Sequence, residues 1–319
     1  GTGFTENDIE VAKVCLSSLL GGMGYFQGRP SIGVAADIEL DSGDRAMTAV
    51  KNAKQLMKAV NDKSSLLSLL TSTPSRTSFP RGFLWDEGFH QMLISQWSPA
   101  LSLEVIGSWL RTMHFPCSGK ATDKTCVGGW IPREMILGED AKRRVPDEFV
   151  VQRVNIANPP TFLLLMKKYS RKTIDPRDAQ LILAQHEGDR EAVLSTLRDI
   201  YPLLHRWVKW FLHSQKGSEM FPGSFRWRGR SQDDGKVIPN TLASGLDDYP
   251  RAPVPSANEH HVDLHCWMTK VTAIMARLEA VLEDTEYALP PESKALALMA
   301  DYQQQHEYLL QRLDDLHWS

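Results

Sequence analysis

Apolar residues recur every three to four positions along most of this chain, and no stretch sustains an alternation of apolar and polar residues. That periodicity predicts helices and leaves little for sheet. Helical patterns cover roughly residues 5–24, 46–60, 86–97, 100–114, 157–169, 190–214, 258–283 and 292–315. The first opens on Thr5-Glu6-Asn7-Asp8, which has the form of a capping box. Val11, Val14, Cys15 and Leu19 then mark one face, and the Gly21-Gly22 pair weakens or ends the helix. Residues 28–45, rich in Gly, Pro and Asp, read as a loop or excursion. Helix–loop–helix pairs without a short fixed repeat predict an all-α toroid or solenoid rather than a TPR-like array.

The helices collect the apolar residues, while the loops collect Trp, Arg, Asp and Glu. That composition suits a binding site built from loops on one rim of a helical scaffold. A formal charge of -3 gives no general attraction to polyanions, so nucleic acid is not an expected partner. No apolar run is long enough to cross a bilayer, so any membrane anchor or targeting segment is expected outside this chain. Cys117 and Cys126 bracket a polar segment and are read either as a disulfide or as two free thiols. Cys15 and Cys266 lie in apolar helical patterns and are expected to be buried thiols.

Four segments read as loops that could carry chemistry. Phe79-Pro80-Arg81-Gly82-Phe83-Leu84-Trp85-Asp86-Glu87-Gly88-Phe89-His90 sets an aromatic face beside Arg81, Asp86 and Glu87. Sugar recognition needs that mixture, because the ring takes the C–H side of a pyranose and the charged groups bind its hydroxyls. The bland alternative has Asp86 capping the next helix and Trp85 in the core. Trp130, Arg133 and Glu134 form a second group, for which an ordinary Arg–Glu ion pair is the competing reading. Phe225-Arg226-Trp227-Arg228-Gly229-Arg230 alternates cation with aromatic, and its arginines are expected to pair with carboxylates. Ser244-Gly245-Leu246-Asp247-Asp248-Tyr249-Pro250-Arg251 holds two adjacent carboxylates in a turn. Close carboxylates raise one another's pKa, as a general acid requires, although a polar turn explains such a pair equally well.

A fifth segment, Asn258 to Trp267, carries Glu259, His260, His261, Asp263, His265 and Cys266. It is neither an HExxH motif nor part of a CxxC arrangement, so no metal and no other cofactor is expected. Glu259 and Asp263, four residues apart, share a helical face that could aim two carboxylates into a cleft. The chain has no phosphate-binding loop, dinucleotide fingerprint or GxSxG elbow.

Taken in order, these blocks resemble one family. FPRGFLWDEGFHQ at 79–91, GWIPREMILG at 129–138, RVP at 144–146, EFVVQR at 148–153, ANPPT at 157–161, FRWRGR at 225–230 and TLASGLDDYPRA at 241–252 are similar to the blocks of processing α-glucosidase I, in glycoside hydrolase family sixty-three. EHHVDLHCW at 259–267 resembles that family's ERHLDLRCW motif, with His260 and His265 in place of two arginines.

The resemblance implies an (α/α)6 toroid, incomplete here, occupying 1–319, with 28–62 and 115–127 as excursions or insertions. It implies an inverting hydrolase that removes the terminal α-1,2-linked glucose from a triglucosylated N-linked glycan on nascent glycoprotein in the endoplasmic reticulum lumen. Asp247 is the expected general acid, and the general base is expected beyond Ser319. Arg81, Trp85, Asp86 and Glu87 are expected to line the glucose pocket. Trp130, Arg133, Glu134, Asn158, Trp227 and Arg228 are expected at neighbouring subsites, together with Asp248, Arg251, Glu259 and Asp263. Two rivals stand beside this reading: a glycan-binding fragment without catalysis, and a related toroid acting on a small glucoside.

Overall fold

The computed structural model describes residues 3–33, 66–113, 128–169, 187–233, 236–283 and 301–318. The architecture is all-α with short two-stranded ribbons at the joints. The helices are α1 (Glu6–Gly21), α2 (Leu84–Trp97), α3 (Pro99–Arg111), α4 (Glu139–Lys142), α5 (Asp147–Val150), α6 (Phe162–Tyr169), α7 (Glu187–Ser214), α8 (Val262–Glu283) and α9 (Tyr302–His317). The strands are β1 (Met23–Gly28), β2 (Ile32–Gly33), β3 (Leu67–Ser72), β4 (Gly82–Phe83), β5 (Glu134–Met135), β6 (Gln152–Arg153), β7 (Ser231–Asp233) and β8 (Lys236–Ile238).

Each pair of strands forms its own ribbon: β1–β3, β4–β5 and β7–β8 antiparallel, β2–β6 parallel. The β1–β3 ladder runs from Met23↔Ser72 to Gly28↔Leu67. Local periodicity misses it because each strand is only six residues long and finds its partner some forty residues away. The 28–45 segment thus begins on strand residues, where a loop is expected. The expected helix at 46–60 and the Cys117–Cys126 segment lie outside the described residues.

Helix starts follow local chemistry. Thr5 caps α1 in the expected capping box, its hydroxyl accepting from Asp8 N while Asp8 Oδ2 accepts from Thr5 N at 2.8 Å. Ser98 closes α2 and opens α3, accepting from Leu101 N with Pro99 at the first helical position. The start of α2 has no side-chain cap. Instead, Phe83 is held in β4, Leu84 N donates to Arg133 O at 2.9 Å, and Asp86 and Glu87 sit in the first turn, where the helix dipole favours negative charge. Asp86 and Glu87 are helical as the 86–97 pattern predicts, and the helix also takes in Leu84 and Trp85, so the chemistry-bearing block read as a loop ends at Phe83.

The core lies among α3, α6, α7 and α8. An aromatic chain runs through it: Trp109 to Phe162 (6.0 Å between ring centroids), Phe162 to Trp207 (5.5 Å) and Trp207 to Phe211 (5.6 Å). Rings in edge-on or tilted contact at these separations add to their area burial. Helix α9 lies along α8, and the Tyr302 hydroxyl shares a 2.8 Å hydrogen bond with His205 Nδ1 on α7. Burial, with Lys209 and Arg206 nearby, holds His205 neutral by lowering its pKa to about 4.

Two burial expectations fail. Helix α1 buries no residue; Val11 and Val14 are 54% and 57% exposed. Cys15 and Cys266 are exposed free thiols rather than buried ones. Their helices are amphipathic in sequence, but the described elements cover α1 on little of its surface, and Cys266 falls on the outer side of α8.

One contact fixes the α2–α6 crossing. A Cβ on Gly88 would stand 2.1 Å from Thr161 Oγ1 and 2.8 Å from the Thr161 backbone carbon, so only glycine fits. Gly88→Ala is expected to destabilise the fold by roughly 1–3 kcal/mol through overpacking, measured as a lowered urea midpoint.

Candidate active site

The separated sequence blocks converge on the first turn of α2. Thr161 Oγ1 bonds the carbonyls of Leu84 and Trp85, at 3.3 and 3.1 Å, tying the ANPPT block to that turn. Asn158 Nδ2, from the same block, donates to Ala243 O at 2.5 Å in the block that carries Asp247. That block makes a 3-10 turn at Leu242–Ser244 and reverses at Gly245, whose φ of +75° is left-handed. The reversal presses against Trp85: a Cβ on Gly245 would stand 2.9 Å from the indole. Trp85 also meets Phe89 edge-on at 5.1 Å and Trp267 of α8 at 6.3 Å. A half-buried aromatic platform results, with the Asp247 turn laid beside it.

The carboxylates divide into two kinds. Glu87 is fully buried and occupied internally. It accepts from Thr71 Oγ1 at 2.7 Å, from Ser72 N at 3.0 Å and from the Gln91 amide. Glu134 is clamped between Arg81, whose Nε and Nη2 stand 2.9 and 2.8 Å from Oε2, and Arg133, 3.0 Å from Oε1. These two acids hold the framework.

Asp86, Asp247 and Asp248 are different. Asp86 is half-buried, and burial pushes its carboxyl above the usual carboxylate range, against the lowering effect of His90. Asp247 and Asp248 are exposed. Arg81 is buried, and its Nη1 has no hydrogen-bond partner. Asp86, Asp247 and Asp248 retain polar capacity for a ligand, whereas Arg81 Nη1 is enclosed.

Behind the platform, Arg230 of the 225–230 segment pairs with a carboxylate as expected, whereas Arg228 binds backbone carbonyls. Trp227 is fully buried; its indole donates to Asp263 Oδ2 at 2.8 Å and its backbone N–H to His261 Nδ1 at 3.0 Å. Arg251 donates to both Asp263 oxygens, at 3.3 and 2.9 Å. Arg230 binds Glu259 through Nε and Nη2, at 3.0 and 2.6 Å. Burial acts to raise Glu259, but hydrogen bonds from His261 and Arg230 outweigh it and hold the carboxyl down at about 2. Trp130 is in the core with its indole on Ile156 O, and Arg228 binds the carbonyls of Ser214 and Lys216.

The two histidines that replace arginine face α9. His265 is fully buried, its Nε2 donates to Leu309 O at 2.9 Å, and its Nδ1 lies 3.3 Å from His317 Nε2. His260 stacks near Phe221 and His317. Among the described residues, no three His, Cys, Asp or Glu side chains are grouped to hold a metal ion.

Of the residues expected at the site, Trp85 and Asp86 share the first turn of α2, the reversal before Asp247 packs on Trp85, and Asp247 and Asp248 are exposed. Arg81 is buried on Glu134. Glu87, Trp130, Glu134, Asn158, Trp227, Arg251, Glu259 and Asp263 are engaged by protein groups. Thr161, Gly245 and Trp267 were not singled out from the sequence, yet they assemble the platform. Only the Ser-Gly pair before Asp247 signalled a reversal there.

An aromatic platform beside carboxylates that no other described residue hydrogen-bonds has the chemistry that suits a carbohydrate ligand. Comparison with known sequences gives the same class. The chain belongs to glycosyl hydrolase family 63, whose C-terminal domain description matches residues 1–319. It is 40% identical over 259 residues to mannosyl-oligosaccharide glucosidase GCS1 of Arabidopsis thaliana, covering 81% of this chain and 26% of that protein. It is 35% identical to alpha-glucosidase 2 of Arabidopsis thaliana, covering 92% of this chain and 33% of that protein. It is 32% identical to the mannosyl-oligosaccharide glucosidase of Saccharomyces cerevisiae, covering 95% and 36%. The chain thus spans about a third of the length of these relatives.

Two outcomes test this electrostatic division. Asp86 has a raised carboxyl pKa, so the folded state binds more protons than the unfolded state just above pH 3.8, and stability falls as pH rises through that window. Asp86→Asn is expected to raise the melting temperature near neutral pH by up to a few degrees while lowering activity; the thermal gain vanishes in acid. Glu259 behaves oppositely: its contribution is present above pH 4.5 and is lost as pH falls from 4.5 to about 2. Glu259→Gln is expected to remove that part of the acid limb and, by stranding buried Arg230, to cost roughly 3–5 kcal/mol in denaturant titration.

Proposed function

We propose that this chain is the catalytic part of an inverting α-glucosidase that trims the terminal α-1,2-linked glucose from a glucosylated N-linked oligosaccharide. The observation that carries the reading is the packing of the Gly245 reversal, two residues before Asp247, on the Trp85 indole in the first turn of α2, in a chain of this family. The names of the relatives support the substrate class.

In this mechanism the terminal glucose rests its C–H face on Trp85, and Asp86 takes its hydroxyls. Asp247 donates its proton to the glycosidic oxygen as the C–O bond breaks and the bonding electrons pass to that oxygen. A water attacks the anomeric carbon from the opposite face and gives its proton to a second carboxylate, the general base of the inverting pair. Inverting pairs of this kind stand roughly 6.5–9.5 Å apart, leaving room for the water. The helices are read as part of an (α/α)6 toroid, and the working compartment as the endoplasmic reticulum lumen. No described helix is long and apolar enough to cross a membrane.

Asp247→Asn in the full-length protein is expected to lower glucose release from the oligosaccharide by at least about 10²-fold while leaving substrate binding by calorimetry within a few-fold. Near-normal turnover would remove Asp247 from the acid role.

A further inference from the structure

Among the described residues, no hydrogen bond or ion pair holds the exposed Asp247 carboxylate, so its aim is inherited from the backbone of its turn. The turn's internal bonds are local. Ser244 Oγ donates to Thr241 O at 2.8 Å, Leu246 N donates to Ser244 Oγ at 3.2 Å, and Tyr249 N donates to Leu246 O at 3.1 Å. They set the turn's shape and not its place in the molecule. Ahead of Asp247, two long-range hydrogen bonds reach the turn: a 3.5 Å contact from Thr241 Oγ1 to Arg228 O, and the 2.5 Å bond from Asn158 Nδ2 to Ala243 O. After Asp247 the chain is tied down by Arg251 on Asp263, at 3.3 and 2.9 Å, and by Arg230 Nη2 on Ala252 O at 2.6 Å, so the Asn158 bond is the shorter of the two that hold the approach to the acid.

Asn158 is well placed to act as an anchor. It is only 6% exposed, and Pro159 and Pro160 follow it, restricting its backbone to extended conformations. Three residues on, Thr161 grips the carbonyls of Leu84 and Trp85. One four-residue bracket therefore holds the sugar platform at one end and the acid-bearing turn at the other. We infer that Asn158 is a positioning residue that sets the distance between the glucose platform and Asp247, and that it serves proton donation rather than sugar binding. This rests on the reading of Asp247 as the general acid.

The test uses the full-length protein with two substrates: a glucosylated oligosaccharide, whose leaving group needs a proton, and α-glucosyl fluoride, whose leaving group needs far less help. Asn158→Ala and the near-isosteric Asn158→Asp, which lacks the amide donor, are compared with Asp247→Asn. Misplacing a catalytic group by about 1 Å costs on the order of 10²-fold in rate. Both Asn158 variants are expected to lose roughly that much kcat on the oligosaccharide, with KM within about twofold, and to recover most of the loss on the fluoride. Asp247→Asn is expected to show the same substrate dependence with a larger loss.

A raised KM with unchanged kcat in the Asn158 variants would make Asn158 a sugar contact and overturn the proposal. An equal loss on both substrates would also overturn it, since the defect would then lie outside proton donation. If Asn158→Ala does not fold, Asn158→Asp carries the test; wild-type kinetics in that variant overturn the proposal. If Asp247→Asn keeps its turnover, the acid reading fails first and takes this one with it. Failure of Asn158 alone leaves the acid reading intact.

Discussion

The contact between Gly88 and Thr161 is the constraint on which the site depends. It lets α6 approach the first turns of α2 closely enough for Thr161 to bond the Leu84 and Trp85 carbonyls. With that crossing fixed, the segment just before α6 delivers Asn158 to the Asp247 turn, and Gly245 closes on the Trp85 indole. A methyl group at Gly88 or Gly245 would separate surfaces that must touch. The platform is thus set by two backbone approaches, and the polar groups act on a geometry already made.

Charge is distributed to match. Buried acids are paired: Glu134 with Arg81 and Arg133, Glu259 with Arg230, Asp263 with Arg251 and Trp227. Removing one partner of such a pair is costly, so these residues constrain the frame. Asp86 departs from that rule, since burial lifts its carboxyl pKa. A carboxylate held at some cost to the fold beside an aromatic platform is a functional-site candidate.

Much of this was legible in the sequence. The helical period places α2, α3 and α8 within a few residues, because their apolar faces meet the core. The capping box starts α1 where expected. Local pattern could not supply the partners. Nothing near Glu87 says that Thr71 and Ser72 will enclose it, and nothing near Asn158 says that it will reach a carbonyl 85 positions away. Both residues belong to motifs that suggest sugar contact, and both are turned inward by long-range packing. Val11, Val14 and the two exposed cysteines show the converse: an amphipathic stripe gives a helix its apolar face, but not what covers that face.

The central claim is that Trp85, Asp86 and Asp247 form one glucose site, and the most direct measurement is a structure of the full-length protein bound to a non-hydrolysable thio-linked glucosyl disaccharide. The account predicts the terminal ring against Trp85, its hydroxyls on Asp86, and the Asp247 carboxyl about 3 Å from the linking sulfur. A sugar seated away from the first turn of α2, with Asp247 out of reach of the linkage even through one water, would contradict it.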